Sequence, residues 1–392
     1  MGEERNFMKI VVQKSALIEK LTPAMGTVSN KNTITSIEGV LIETLDDGNI
    51  QISTYDMNKG IRAKIAAVSI EREGKYIINA QRFYQTVRVL PEDDIEIEIN
   101  ENLNCTVSSG KASFSMFAMK GSDFPSFPEL ETDKGFEMDS SILRKMIGKV
   151  QHSVAEGDSR PMLCGAYVKV KNDEIEIVSC DSYTLSIASH KCEINSKNKG
   201  EEINYSFIIP GHALSEISKI IDDGEDKNVK VNISRKHAIF KKGDIIIFTR
   251  TIDSEYIDYK KLKPVDNNIK ITVEREKFLS SLERANIIAE EKIQGSGKSF
   301  VKITSEGQYL SLTSSSVNGK VFEEMDCVHE GEDIEIGFNC RYLINSVRAA
   351  EGENIRINLK SSTQAMTIEP VEEDNNFKFF YMVLPIRMNN EK

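Results

Sequence analysis

No apolar run in the sequence approaches the roughly eighteen residues that a membrane-crossing helix needs. The opening Met1-Gly2-Glu3-Glu4-Arg5-Asn6 is acidic and polar, unlike a secretory signal, so the expected compartment is the cytoplasm. Cysteine is sparse, and no two of the 6 are spaced CxxC, which excludes zinc-ribbon and thioredoxin-type sites. The 5 histidines (His152, His190, His212, His237 and His329) form neither HExxH nor HxH, so no metal centre is expected. No GxSxG elbow supports a serine hydrolase. Gly297-Lys298-Ser299 has the tail of a phosphate-binding loop, but Lys292 stands where the motif needs its first glycine. It therefore reads as a surface loop. Acidic runs such as Glu92-Asp93-Asp94 and Asp222-Asp223 read as solvated turns. These absences favour a scaffold that needs no cofactor. A hydrolase or transferase with an unrecognised site stays open as the competing class.

With 392 residues, 40% hydrophobic and 28% charged, the chain can build two to four ordinary globular domains. A pattern recurs three times along it. A short alternating strand leads into an amphipathic helix, then into further strands. The first helical face carries Leu17, Ile18 and Leu21. Its counterparts carry Leu143, Met146, Ile147 and Val150, then Phe278, Leu279, Leu282 and Ala285. Aligning Leu17, Leu143 and Leu279 gives spacings of 126 and 136 residues. A second helix lies between these, with faces Phe83/Val87/Leu90, Leu214/Ile217/Ile221 and Leu343/Val347/Ala350, spaced 131 and 129 residues apart by their first members. Each second helix precedes an alternating strand: Ile95–Ile99, Val229–Ile233 and Ile355–Leu359. Two landmarks recurring in the same order argue for three α+β domains. The domain boundaries expected are 8–131, 136–262 and 268–388, after an extension at 1–7.

Five short motifs, each on its matching repeat, carry a family resemblance. They are Asp123-Phe124-Pro125, Asp158-Ser159-Arg160-Pro161-Met162-Leu163-Cys164-Gly165, Asp258-Tyr259-Lys260-Lys261-Leu262, Ile336-Gly337-Phe338-Asn339 and Tyr381-Met382-Val383-Leu384-Pro385-Ile386-Arg387-Met388. In this order they resemble the bacterial sliding clamp, the β subunit of the replicative DNA polymerase III, over Met8 to Met388. The resemblance implies a non-enzymatic processivity factor. Two chains would join head to tail into a six-domain ring, helices inside, around duplex DNA. Polymerase, clamp loader and repair proteins would dock through short linear peptides.

The resemblance also implies site residues. A peptide pocket between the second and third domains would use Leu163, Cys180, Ser182, Tyr183, Thr184, Leu185, Ile257, Lys261, Leu262, Tyr342, Thr363, Ala365, Met382, Leu384 and Ile386. Taken as residues alone, Leu163, Leu185 and Leu262 read as plain core. The chain departs from the family pattern Thr-Asp-Gly-x-Arg-Leu, with Cys180-Asp181-Ser182-Tyr183-Thr184-Leu185 in its place. That removes a long cation from the pocket wall and implies altered peptide choice, or a specialised clamp paralogue. DNA-facing cations would be Lys14, Lys20, Lys31, Arg82, Arg88, Lys145, Lys149, Arg160, Lys219, Arg284, Arg341 and Arg348. Arg160 has a structural alternative, pairing with a carboxylate. The dimer seam would set Arg82, Phe114 and Met116 against Ile287, Ile288, Glu323 and Glu324, with core burial the competing role for the two isoleucines. Charge agrees in outline: the six helical segments sum to +4 in a chain of net charge -11.

Overall fold

The computed structural model describes residues 7–29, 34–91, 93–130, 134–196, 202–221, 226–289, 300–316, 318–372, 374 and 376–388. Lys31, Glu92, the Asp222-Asp223 pair and Gly297-Lys298-Ser299 lie outside them. The described α-helices are α1 (Lys14–Ala24), α2 (Ala80–Val89), α3 (Ser140–Val150), α4 (Gly211–Ile220), α5 (Arg275–Ala289) and α6 (Cys340–Ala349). They fall in the segments where helical periodicity predicts them. Their starts follow from local chemistry. The Asn79 side chain accepts the Arg82 amide at 3.0 Å, Asn339 accepts that of Arg341 at 3.1 Å, and Asp139 that of Ser141 at 2.8 Å. Each satisfies an amide that the first helical turn leaves without a partner. The apolar faces point inward: Leu17, Leu21, Phe83, Val87, Met146, Ile147, Leu214, Ile217, Phe278, Leu282, Leu343 and Val347 are all buried.

The strands are antiparallel and form sheets of 13, 9 and 4 strands. Strand Lys59–Arg72 explains the size of the first. One end pairs with Met8–Gln13, while Ile61 and Ala63 at the other end pair with Ile247 and Ile245. Backbone ladders therefore run from the first repeat into the second. In the second sheet, Thr184–Lys191 pairs with Phe377–Val383, Leu185 opposite Met382. That ladder joins the second repeat to the third. Among the described residues the third sheet ends on Lys320–Asp326, which pairs with Tyr309–Ser315 on one side.

Because the ladders cross repeat boundaries, residues gather into two compact units rather than by repeat. One comprises Met1–Ser141, Asn195–Glu201 and His212–Thr251; the other comprises Ile142–Ile194, Glu202–Gly211 and Ile252–Lys392. The middle repeat contributes to both.

Gly60 marks the first ladder. A Cβ there would meet Phe248 Cζ at 2.5 Å and the Thr54 carbonyl oxygen at 2.8 Å. Backbone cannot yield as a flexible side chain can, so Gly60→Val should lower unfolding free energy by about 1–3 kcal/mol. Urea denaturation checks this, and an unchanged midpoint would contradict it.

Candidate functional site

The second unit holds an apolar cluster around the second ladder. Leu163, Val178, Cys180, Leu185, Ile187, Tyr259, Ala365 and Met382 are buried together, with Tyr256, Ile257, Tyr167 and Met162 packed against them. The structure thus brings Leu163, Cys180, Leu185, Ile257, Ala365 and Met382 into one site from segments over 200 residues apart in sequence. Its rim is exposed: Tyr183 at 56%, Leu262 at 44% and Leu384 at 38%. Leu163 and Leu185 are buried core, whereas Leu262 is not core. Tyr183 stacks on Tyr342 with ring centroids 5.5 Å apart and planes 17° apart. The Leu384 amide donates to the Tyr183 carbonyl at 2.8 Å, and the Ile386 amide to that of Gly337 at 2.8 Å. These two bonds hold the C-terminal segment along the rim. Lys261 is exposed and pairs with Asp258 at 2.9 Å. Thr363 sits in an exposed turn, its hydroxyl 3.4 Å from that of Ser361.

Sequence reasoning overlooked the tyrosines beneath this rim. Tyr167 and Tyr256 stack at 5.0 Å, and the Tyr259 hydroxyl donates to Glu176. Burial pushes the Tyr256 phenol upward; Tyr259 is raised by burial and then by Glu176. Both stay neutral, so the wall is a wide apolar surface with polar tips.

The departing loop is held from below. Asp181 Oδ1 accepts the amides of Tyr183 at 2.9 Å and Thr184 at 2.6 Å, and the Thr184 hydroxyl at 3.0 Å. Thr184 Oγ1 lies 2.8 Å from Ser153 Oγ, which lies 2.7 Å from Ser186 Oγ, itself 3.1 Å from His152 Nε2. A carboxylate only accepts and a hydroxyl has one proton. The Thr184 hydroxyl can give its single proton to Asp181 Oδ1 or to Ser153 Oγ, and the chain of hydroxyls ends at His152 Nε2. Burial, with help from Lys149, pushes the His152 pKa down to about 4. Ser182 adopts φ +77°, a left-handed conformation unusual for a residue with a side chain. Arg160 secures it, donating to Ser182 Oγ at 2.5 Å while Nε and Nη2 bind Asp158 at 2.9 and 2.8 Å. The fork holds the Asp158 carboxyl down at about 2. Arg160 is thus a structural clamp on the pocket loop.

The helix cations are less free than their sequence count suggests. Lys145 and Lys149 bracket Glu351 at 2.9 Å each, and Lys149 also reaches the Ala349 carbonyl at 2.7 Å. Lys219 pairs with Glu216 at 3.2 Å, Lys20 with Glu19 at 2.7 Å and Arg348 with Glu283 at 2.6 Å. Lys14 donates to the Leu90 carbonyl. Arg284 binds Glu323 through two bonds, at 2.7 and 2.6 Å. Of the twelve cations named, those among the described residues without an ion pair or hydrogen bond to their side chains are Arg82, Arg88 and Arg341; Arg88 lies 5.6 Å from the Tyr84 ring centroid.

The proposed seam residues lie at open strand edges and a helix end. Strand Ala112–Lys120 pairs with Asn104–Ser109 along Ala112–Phe117, but among the described residues its other side is paired only from Ala118 onward. Phe114 is 41% and Ile287 70% exposed, which removes core burial as the role of Ile287; Met116 and Ile288 are half-buried. Glu324 is exposed, but Glu323 is already engaged by Arg284 within the chain. That pairing leaves Glu323 a poor partner for an incoming Arg82. Phe117 and Phe322, both overlooked in sequence, are exposed at the same edges at 82% and 64%.

Family models tile the chain in three consecutive pieces. The DNA polymerase III beta subunit N-terminal domain matches residues 8–128, the central domain 137–258 and the C-terminal domain 260–387. The chain belongs to the DNA polymerase III beta-subunit family. It is 28% identical over 390 residues to the beta sliding clamp of Bacillus subtilis (strain 168), covering 97% of this chain and 100% of that one. Among solved structures, a DNA polymerase sliding clamp from Bacillus subtilis matches with a TM-score of 0.88 at 26% identity, covering 98% and 100% of the two chains. The DNA polymerase III beta subunit from Thermotoga maritima matches with 0.87 at 27% identity, covering 97% and 100%. No helix among the described residues of this beta-subunit family member is long and apolar enough to cross a membrane.

Burial of His152 makes the stability of the fold pH-dependent. The unfolded imidazole takes a proton near the ordinary value of 6.5, the folded one only at about 4. Protonation therefore favours unfolding as pH falls from 6.5 to 4, and the contribution is complete above that window. The loss should be on the order of 3 kcal/mol. Urea unfolding at stepped pH checks this: His152→Gln should flatten that part of the profile, and an identical slope would contradict the assignment.

Proposed function

We propose that this chain is a sliding clamp that encircles duplex DNA, independent of sequence, and tethers the replicative polymerase for processive synthesis. Family membership along nearly the whole chain carries this reading. As a clamp it is a non-catalytic accessory subunit and works in the cytoplasm. Its domains would be the three repeats at 8–131, 136–262 and 268–388. Two chains would close head to tail. The open edge bearing Phe114 and Phe117 would meet the partner's edge bearing Phe322, with Ile287 and Ile288 beside it. Apolar edge residues next to unpaired backbone suit strand-to-strand joining. The electrostatic part of the seam would use Arg82 or Arg88 with Glu324 rather than Glu323.

Polymerase, loader and repair proteins would present linear peptides to the Leu163–Met382 cluster, their anchors passing between Tyr183, Leu262 and Leu384. An exposed rim over a close-packed floor suits one or two large apolar anchors. The Ser182–Thr184 turn favours a second, narrower reading, a clamp with altered partner choice. Its wall offers stacked tyrosines, and Arg160 beside the turn is held by Asp158. The helix cations would face DNA, with Arg82, Arg88 and Arg341 bearing most of the unneutralised charge. Few free cations suit a ring that touches phosphates loosely enough to slide.

Ile287→Ala with Ile288→Ala should shift the sedimenting species from dimer toward monomer. An unchanged mass would remove both residues from the seam. The peptide site calls for a gentler test than cutting before Met382, because Met382 is buried and paired in the ladder. Ending the chain after Val383 removes Leu384 and Ile386 and keeps the strand. Fluorescence anisotropy with a polymerase-derived peptide should then report at least a tenfold loss, about 1.4 kcal/mol. Retained affinity would move the pocket elsewhere.

A further inference from the structure

The first unit contains a cleft of about 610 Å³ on the large sheet, away from the residues assigned above to peptide, seam or DNA. Arg62 lines it, and its environment is anomalous. The guanidinium lies 4.1 Å from the Phe127 ring centroid and has neither hydrogen bond nor ion pair among the described residues. Its Nε is fully buried and unpartnered. Burial lowers its pKa, against the opposing field of Glu43, a carboxylate that Lys75 already holds at 2.9 Å. Ser196 lines the same cleft with a second buried, unpartnered group, its hydroxyl. A buried polar group without a partner costs roughly 1–3 kcal/mol, and more when charged. Among the described residues neither group has a partner, which leaves both open to a ligand in the cleft.

The rest of the lining gives that partner its chemistry. Lys230 and Lys241 add positive charge, and the one carboxylate among the described lining residues, Glu137, is shared between Lys230 at 3.8 Å and Asn228 at 3.0 Å. Ile239 and Ile246 supply apolar wall. A guanidinium side offering Nε suits the two oxygens of a planar carboxylate. The volume falls in the usual range for small-molecule pockets. We propose that this cleft binds a small organic acid, its carboxylate on Arg62 and its apolar body against Ile239 and Ile246. The inference stands independently of the clamp function.

The test uses the full chain labelled with 15N-arginine and titrated with 4-phenylbutyrate. The Arg62 Nε–H resonance, identified by its loss in Arg62→Lys, should shift saturably. Acetate lacks the apolar body and 4-phenylbutan-1-ol lacks the charge, so both should bind at least tenfold more weakly. By calorimetry Arg62→Met should lose about tenfold in affinity, and Lys241→Met less. An Arg62 signal that never saturates would overturn the site. An alcohol that binds as well as the acid would overturn the carboxylate assignment, as would unchanged binding in Arg62→Met. The wild-type comparison of acid with alcohol decides the matter even if Arg62→Met fails to fold.

Discussion

Antiparallel ladders that cross from one repeat to the next are the constraint on which the structure depends. A strand pair fixes both position and facing, since a one-residue slip turns every side chain to the other face. Ala63 opposite Ile245 sets the first crossing, and Leu185 opposite Met382 the second. The second crossing also builds the apolar cluster proposed as the peptide site. It draws the turn at Asp181–Thr184 beside Val383 and Leu384, so Tyr183 receives the Leu384 amide and stacks on Tyr342. The proposed site lies at a junction, where chain segments nearly 200 residues apart share one ladder.

Most of the helix cations are answered by carboxylates within the chain. Glu351 answers two lysines of α3, Glu216 a lysine of α4, Glu323 an arginine of α5 and Glu283 one of α6. Exposed pairs of this kind contribute little to stability, about 0–1 kcal/mol each. Their larger effect is to reduce the helices' pull on phosphate. A protein that must hold DNA by enclosure gains mobility from that reduction.

Much of this was legible in sequence. The helices were, because Leu17/Leu21, Met146/Ile147 and Leu343/Val347 recur at helical spacing whatever the partner. The pocket's membership came from resemblance, since Leu163 and Leu185 alone are indistinguishable from core. The hydroxyl chain was not legible: His152, Ser153, Thr184 and Ser186 are ordinary residues until one sheet aligns them. Nor were Phe117 and Phe322, because alternation marks two faces of a strand without saying which edge is left open. Counting helix cations overstated the free charge, since several of the acids that pair with them, such as Glu351 and Glu323, lie outside the helices that carry those cations.

The central claim is enclosure, and DNA topology tests it most directly. The protein would be loaded by a clamp loader onto a nicked circular plasmid, and the DNA-bound fraction isolated by gel filtration. Cutting the plasmid once should release the protein, while an uncut circle retains it. Retention on the linear molecule, or no retention on the circle, would contradict a sliding ring.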